Sequence, residues 1–124
     1  MSNGNKFTTK AMEALQEAQN LAFETGAQTI EAMHVLATLL RHEDGVVVSV
    51  FKKLGVDPSA VRSRAEASLT RSQQQGGGTA HVQVSQKLDL ALRQAHKIAA
   101  RFKDEYVSTE HLLLGLLETK HEAG

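Results

Sequence analysis

The sequence predicts an all-α domain built from a duplicated helical unit. Residues 7–40 can be laid on residues 84–117 without a gap, at a constant spacing of 77 positions. Apolar residues inside both segments recur at three- and four-residue steps, which is the period of a helix buried along one face. A repeat that preserves both register and apolar phase is typical of two similar units packed as a pseudo-two-fold pair. Identical residues meet at Lys10/Lys87, Leu15/Leu92, Ala18/Ala95, His34/His111 and Leu36/Leu113.

Length and charge limit the classes of protein to consider. A chain of 124 residues allows one domain with a real core. The formal charge is zero, from 14 basic and 14 acidic residues, which argues against nucleic acid as a partner. There is no cysteine, and no apolar run approaches the ~20 residues of a membrane-spanning helix. Because the N-terminus also lacks the apolar stretch of a secretory signal, we expect a cytoplasmic domain without a membrane partner.

The first repeat unit predicts two helices. Thr8 is placed as the N-cap of the first helix, and Gly26 follows its C-terminus. The second helix is predicted from Ile30 to Leu40, with one strongly apolar side. The second unit copies this arrangement, with Ser85 as the cap, a turn at 103–105 and a helix from Ser108 to Glu118. Each first helix carries an apolar stripe: Ala11, Leu15, Ala18 and Ala22 in one, and Leu88, Leu92, Ala95 and Ala99 in the other.

Two further helices are predicted between the repeats. The first runs from Val46 to Leu54 and is closed by Gly55; its valines would also suit a strand, but their helical spacing and the lack of a partner strand favour helix. The next runs from Ser59 to Leu69 and is opened by Asp57-Pro58, an N-cap followed by proline at the first helical position. The predicted organisation is therefore repeat one at 7–71, a glycine- and glutamine-rich linker at 72–83 and repeat two at 84–124. By analogy with repeat one, repeat two lacks its last two helices.

Motifs for metal or cofactor chemistry are weak. Six histidines occur, but none forms a pair four residues apart on one helix. His34 and His111 recur with the repeat, so a structural bond from the ring to backbone at the helix start is favoured over a metal-ligand role. The glycines at 76–78 precede no Gly-Lys-Ser or Gly-Lys-Thr, as a phosphate loop would require. We therefore expect no metal, no cofactor and no catalytic residue.

An acidic and hydroxyl cluster is the more informative signal. Asp104 and Glu110 fall at the turn and the start of the sixth helix, and Thr8 falls at the start of the first. A carboxylate at a helix N-terminus can have a purely structural role, because its negative charge complements the helix dipole and stabilises the helix by ~0.3–1 kcal/mol. That alternative stays open for Asp104 and Glu110. The run Leu112-Leu113-Leu114-Gly115-Leu116-Leu117 is compatible either with core packing or with a surface left open for a partner.

These residues resemble a known family. Phe7-Thr8-Thr9-Lys10, the Ala-Leu-Gln-Glu-Ala-Gln run from Ala14, Lys53-Leu54-Gly55-Val56-Asp57-Pro58 and the run from Asp104 to Leu114 are similar to the N-terminal domain of Clp unfoldases. The glycine-rich linker and the Val-Ser-Thr-Glu-His-Leu form of the second motif resemble the ClpB-type disaggregases. The resemblance covers Phe7 to Glu118.

The resemblance implies a double repeat of eight helices, joined in a parent protein to two ATPase rings that form a hexamer. It implies a non-enzymatic module that captures unfolded or aggregated polypeptides in an apolar groove bordered by a threonine and two acidic residues. By motif these fall on Thr8, Asp104 and Glu110, with Leu112 and Leu113 as adjoining apolar positions. Docking of a folded adaptor protein is the alternative function, and an enzyme or metal protein is a more distant one.

One departure from the pattern bears on the alternative. ClpC-like relatives carry Gly-Thr-Glu-His in both repeats and use the acidic residues for adaptors or phosphorylated arginine. Repeat one here reads Glu31-Ala32-Met33-His34, so Met33 stands where Glu110 stands in repeat two. The sequence therefore predicts one acidic site of this kind rather than a symmetrical pair.

Overall fold

The computed structural model describes residues 6–42, 45–71 and 83–123. Six helices and four two-residue strands occur within these ranges. In chain order they are β1 (Lys6–Phe7), α1 (Thr9–Glu24), β2 (Thr29–Ile30), α2 (Ala32–Arg41), α3 (Val46–Lys53), α4 (Pro58–Arg71), β3 (Gln83–Val84), α5 (Gln86–Arg101), β4 (Tyr106–Val107) and α6 (Thr109–Ala123). The all-α fold class and the duplication are confirmed, since α1 and α5 have identical lengths and the 77-residue spacing of the sequence repeat.

The two repeats begin with the same cap. Thr8 Oγ1 accepts a hydrogen bond from Ala11 N at 3.1 Å, and Ser85 Oγ accepts one from Leu88 N at 3.1 Å. Each hydroxyl thereby satisfies an amide that has no partner within its helix. Both predicted N-caps are confirmed.

The first helix of each repeat also ends in the same way. Gly26 adopts a left-handed backbone with φ of 73°, and Lys103, which occupies the equivalent place after α5, has φ of 59°. Glycine takes this conformation without a steric penalty, whereas lysine has a Cβ that crowds the backbone. The turn geometry is thus conserved between the repeats although the residue type is not.

The helices between the repeats form as their sequence signals predict. Leu54 caps α3, and Gly55 follows with φ of 78°. Asp57 Oδ1 accepts a hydrogen bond from Ser59 N at 3.0 Å, which confirms the predicted N-cap before Pro58. α4 then packs across α2.

The short strands pair across the repeats rather than within them. β1 pairs in parallel with β4, and β2 pairs in parallel with β3. Each strand pair continues into the following N-cap, because Thr8 N donates to Val107 O and Ser85 N donates to Ile30 O, both at 3.0 Å. The two repeats therefore exchange backbone hydrogen bonds in a reciprocal pattern, which holds the start of α1 beside the start of α6.

The core lies where the equivalent faces of the repeats meet. Small residues on α1 and α5, including Ala14 and Ala91, are fully or almost fully buried. They let each helix approach the next helix of its own repeat closely, α1 against α2 and α5 against α6. Larger side chains from both repeats fill the remaining space, among them Leu39, Leu88, Leu112 and Val107.

Several predicted boundaries need correction. α4 was expected from Ser59 to Leu69 but runs from Pro58 to Arg71. The second helix was expected from Ile30, but Thr29–Ile30 forms β2 and α2 begins at Ala32, because this backbone pairs with β3. The linker was expected to reach residue 83, but Gln83 belongs to β3, and residues 72–82 lie outside the described ranges. The sixth helix begins at Thr109 and continues past Glu118 to Ala123.

Candidate functional site

An apolar groove of about 290 Å³ opens at the seam between the two repeats. It takes residues from α1 and α5, the first helices of each repeat, and from three of the four strands. The lining comprises seven apolar side chains and two amides: Phe7, Met12, Leu15, Ile30, Val84, Leu88, Leu92, Gln16 and Gln19.

The groove follows the pseudo-symmetry of the fold. Phe7 and Val84 occupy equivalent positions in the two repeats, and so do Leu15 and Leu92. Duplication has therefore supplied two matching apolar pairs to the lining of one depression. Because a seam between repeats belongs to neither unit alone, its lining cannot be read from either helix in isolation.

The chemistry of the groove suits neutral, apolar ligand groups. None of its lining residues is charged, and its polar contribution comes from the two glutamines, whose amides can donate and accept hydrogen bonds. Met12 and Val84 expose 58% and 42% of their surface, so part of the apolar lining is in contact with water. A long, unbranched methionine side chain can adapt to ligands of different shape.

Phe7 connects the groove to the rest of the predicted site. Its ring packs against His96 in an edge-to-face arrangement, with ring centroids 5.1 Å apart. The next residue, Thr8, is hydrogen-bonded to Val107 on β4. Thr8 therefore lies at the end of the strand that borders the groove, but its hydroxyl caps α1 and its side chain does not line the groove.

Asp104 is held by a buried histidine. Ser108 N donates to His111 Nδ1 at 2.9 Å, so Nδ1 is an acceptor and the proton resides on Nε2. His111 Nε2 then donates to Asp104 Oδ2 at 3.0 Å. The His111 side chain is 5% exposed and that of Asp104 is 49% exposed. A buried imidazole therefore orients a carboxylate that is in contact with solvent.

Glu110 is exposed in the first turn of α6, where a negative charge complements the helix dipole. Asp104 precedes β4 in the chain and Glu110 follows it. Thr8 N donates a hydrogen bond to Val107 O, which belongs to β4. Because β1 pairs with β4, the structure places Thr8 beside the segment that carries Asp104 and Glu110, and none of the three lines the groove.

Leu112 and Leu113 do not face solvent. Their exposed fractions are 1% and 3%, because their positions on α6 point toward α5 and the core. The exposed leucines of the same run are Leu114 and Leu117, at 40% and 51%. Leu112 and Leu113 therefore belong to the core, and the prediction that they contribute to a ligand surface is wrong for this structure.

None of the nine groove residues is among the site residues that the sequence predicts; Leu15, Leu88 and Leu92 are predicted only as positions of the helix stripes. A signal was nevertheless present, since Phe7 and Val84 open the aligned segments at equivalent positions. Both residues precede a helix cap and therefore lie outside the apolar stripes of α1 and α5.

His34 is the counterpart of His111 without its acidic partner. Glu31 N donates to His34 Nδ1 at 2.8 Å, which confirms the predicted bond to backbone at the helix start. By the same reasoning its Nε2 carries the proton, yet this buried atom has no hydrogen-bond partner among the described residues. The position equivalent to Asp104 is Ala27. Burial lowers the pKa of His34 below its ordinary value of 6.5, and the nearby Glu31 opposes that shift only in part.

Two other kinds of site are absent from the described ranges. No helix there is long and apolar enough to cross a membrane. No group of three or more histidine, cysteine, aspartate or glutamate residues there is arranged to hold a metal ion.

The fold and the seam groove define a class of protein: a pseudo-symmetric helical double repeat with an apolar surface between its halves. The chain matches the Clp repeat (R) N-terminal domain over residues 6–124. It is 36% identical over 119 residues to the chaperone protein ClpB of Bacillus cereus, covering 94% of this chain and 14% of that protein. The chain belongs to the Clp N-terminal domain family, and it spans about one seventh of the length of the ClpB proteins that it matches.

Solved structures show the same fold. The Hsp104 N-terminal domain from Candida albicans superposes with a TM-score of 0.85 at 23% identity, covering 94% of this chain and 77% of that one. A complex of the ClpV N-domain with a VipB peptide superposes with a TM-score of 0.78 at 18% identity, covering 95% and 76%. At these identities the likeness concerns the fold alone.

Proposed function

We propose that this chain is the substrate-binding N-terminal module of a ClpB-like disaggregase, and that it binds apolar segments of unfolded or aggregated polypeptides in the seam groove. The observation that carries the proposal is a water-exposed apolar groove without a charged lining residue, built from equivalent residues of both repeats. Such a surface favours burial of apolar side chains at roughly 25 cal/mol per Å² and provides few directional contacts that would select one sequence.

Asp104 and Glu110 would act at the end of this groove rather than inside it. Both carboxylates lie beside the strand pair that Phe7 and Thr8 join, and Asp104 is oriented by His111. They would attract basic residues that flank an apolar segment, mainly through long-range electrostatic attraction. Thr8 would contribute by fixing the start of α1 and thereby the position of Phe7.

The module itself would perform no catalysis and use no cofactor. It would deliver bound segments to the ATPase rings of a cytoplasmic parent protein. A shallow groove that accepts many sequences should bind weakly, with Kd on the order of micromolar or higher. Six such modules around a hexamer would raise the effective affinity through avidity. Adaptor proteins would be accessory partners.

An amide-resolved NMR titration with a permanently unfolded model protein tests the groove. We expect shifts at Met12, Leu15, Val84 and Leu92. Met12→Glu should weaken binding about tenfold, because it places a charge in the apolar groove. The matched control is Leu90→Glu, since Leu90 is 56% exposed on α5 but does not line the groove. Equal binding by both variants would contradict the proposal.

The acidic positions need a separate test. Glu110→Lys should weaken binding of apolar peptides with flanking lysines and leave binding of neutral apolar peptides unchanged. Its charge is exposed, so the fold should persist. Unchanged affinity for the basic peptides would remove Glu110 from the proposed site.

Docking of a specific partner is the second candidate function. The complex of the ClpV N-domain with a VipB peptide favours it, because that domain shares the fold and binds a defined segment. The two functions differ in competition experiments. Unrelated unfolded proteins should displace one another from a client groove, whereas a defined partner should resist displacement and form a saturable one-to-one complex.

A further inference from the structure

A second cavity, of about 160 Å³, lies among the helices of repeat one. Its walls come from α2, from α3 and from the start of α4 together with the residue that precedes it, all of which the structure describes. The cavity shares no residue with the seam groove, and Thr8, Asp104 and Glu110 do not line it. It is therefore a separate site, distant in the chain from the proposed client surface.

Two cationic side chains on different helices line this cavity. Lys52 belongs to the last turn of α3, and Arg62 belongs to the second turn of α4. Neither is in an ion pair with a carboxylate of the described residues. Arg62 Nε is buried and has no hydrogen-bond partner within ranges 6–42, 45–71 and 83–123. Because a buried donor without a partner is costly, this N–H points to an acceptor supplied by a ligand.

The preference for an anion comes from these cations and not from the helix end beside them. Asp57 Oδ1 accepts a hydrogen bond from Ser59 N at 3.0 Å, so the N-terminus of α4 is already capped by a carboxylate. Asp57 also lines the cavity and offsets one of the two positive charges. The remaining single positive charge matches a ligand with one negative charge. A phosphate monoester, with nearly two, would place surplus negative charge beside Asp57.

The rest of the lining favours a ligand with an apolar group next to its anion. Leu40 and Val48, which are 3% and 4% exposed, contribute apolar surface together with Pro58. The second carboxylate oxygen of Asp57 has no hydrogen-bond partner among the described residues, so it can accept a bond from a ligand N–H. A cation pair, an apolar surface and an acceptor complement the carboxylate, the side chain and the amide N–H of a C-terminal amino acid.

We infer that the cavity among α2, α3 and α4 binds the C-terminal residue of a polypeptide whose last side chain is small and apolar. The guanidinium of Arg62 pairs with the terminal carboxylate, Lys52 adds a second positive charge, and Asp57 accepts from the terminal amide. Arg62 is the main contact because a planar guanidinium matches the geometry of a carboxylate. This inference does not depend on the proposed client groove, since the two sites share no residue.

A matched pair of peptides tests the inference. One is acetyl-Ala-Ala-Val with a free carboxylate, and the other is the same peptide with a C-terminal amide. Each is titrated into the isotope-labelled full chain by NMR, with the Nε–H resonance of Arg62 and the backbone amides of Lys52 and Ser59 as reporters. We expect the acid to bind with a Kd in the millimolar range. The amide should bind at least about tenfold more weakly, because it lacks the charge that pairs with Arg62.

Variants of the chain locate the site. Arg62→Gln should weaken binding of the acid about tenfold, because it removes a charge-assisted hydrogen bond. The matched control is Arg64→Gln, since Arg64 is exposed on the same helix and does not line the cavity. Arg62→Lys, which keeps the charge without the planar fork, should fall between the parent chain and Arg62→Gln. Circular dichroism verifies that each variant is folded.

Four outcomes would overturn the inference. The acid and the amide bind equally, or neither binds a folded chain at millimolar concentration. Arg62→Gln and Arg64→Gln weaken binding of the acid to the same extent. Inorganic phosphate shifts the reporters at a lower concentration than the acid does. The acid shifts only Met12 and Val84, which line the seam groove, and leaves the three reporters unchanged.

Discussion

His111 Nε2 donates a hydrogen bond to Asp104 Oδ2 at 3.0 Å, and it links a residue of the α6 core face to the loop that precedes β4. The backbone amide of Ser108 fixes the tautomer that makes this donation possible. In the other repeat, His34 Nδ1 accepts the equivalent backbone hydrogen bond, from Glu31 N. The position equivalent to Asp104 is Ala27, which has no acceptor in its side chain. One repeat therefore has a satisfied histidine and the other a buried donor without a partner among the described residues.

Removing the acid should destabilise the fold modestly. Asp104→Ala leaves the buried Nε2–H of His111 without an acceptor, at a cost of about 1 kcal/mol in the free energy of unfolding. The half-exposed position of Asp104 keeps the cost at this level, since water can reach part of the site. Urea denaturation measures the change, and Asp104→Asn, which retains an acceptor oxygen, should lose less. Equal losses in the two variants would contradict the hydrogen-bond argument.

His34 should make stability depend on pH. Its pKa is lowered in the folded state by burial, so the unfolded chain binds the proton more readily. Where the unfolded state binds more protons, stability increases with pH. The contribution of His34 is therefore fully present above its ordinary pKa of 6.5 and is lost as the pH falls through the lower folded value.

The experiment compares urea midpoints between pH 7.5 and 5.5. His34→Gln, whose amide does not titrate, should show a smaller loss of stability on acidification than the parent chain. The difference between the two curves isolates His34 from the other histidines. Parallel curves would show that His34 does not carry the effect.

Lys103→Gly should stabilise the protein. Lys103 has φ of 59°, a left-handed conformation that costs a residue with a Cβ about 1 kcal/mol relative to glycine. Part of this gain is offset because glycine makes the unfolded chain more flexible, which leaves a net gain of about 0.5 kcal/mol. The matched control is Gly26→Ala at the equivalent turn, which should destabilise by about 1 kcal/mol. Thermal unfolding of both variants measures the two effects, and a destabilised Lys103→Gly protein would refute the prediction.

Gly115→Ala should separate α5 from α6. A Cβ at this position would lie 2.5 Å from Ala91 O and 3.0 Å from Ala95 N, both of which are backbone atoms that cannot move without shifting α5. Overpacking of this kind costs about 1–3 kcal/mol. In repeat one the same place is held by Thr38, whose hydroxyl donates to Ala14 O at 3.0 Å.

Chemical denaturation again measures the effect, with Leu117→Ala as a control on the exposed face of α6. That control should change stability by less than about 0.5 kcal/mol. A fully stable Gly115→Ala protein would mean that the helices can separate at little cost.

The helices and caps could be predicted because they depend on nearby residues. Thr8, Gly26, Asp57 and Ser85 each act on backbone within about three positions, so a sequence window contains the whole cause. The strands could not be predicted in this way. Ile30 pairs with Val84, and two residues of backbone carry no periodic signal of their own.

The candidate site was predicted in part for the same reason. The motif points to Asp104 and Glu110. It does not show the hydrogen bond between Asp104 and His111, because seven positions and β4 separate the two residues. Nor does it show that His34 lacks such a bond, since Ala27 stands at the position equivalent to Asp104. Leu112 and Leu113 follow from the family resemblance as apolar positions beside the groove, and the run of leucines around them does not show which face of the helix is buried. Only packing against α5 shows that these two face inward and that Leu114 and Leu117 face outward.

The exchanged strands have a consequence for folding. Since β1 pairs with β4 and β2 with β3, each repeat completes its backbone hydrogen bonds only through the other. The two strand pairs join residues that are 100 and 54 positions apart in the chain, so they form only when the two repeats come together. A peptide bond cut between residues 71 and 83 would leave both contacts intact. The two halves, expressed as separate polypeptides, should therefore reconstitute one domain by fragment complementation, much as a split reporter does.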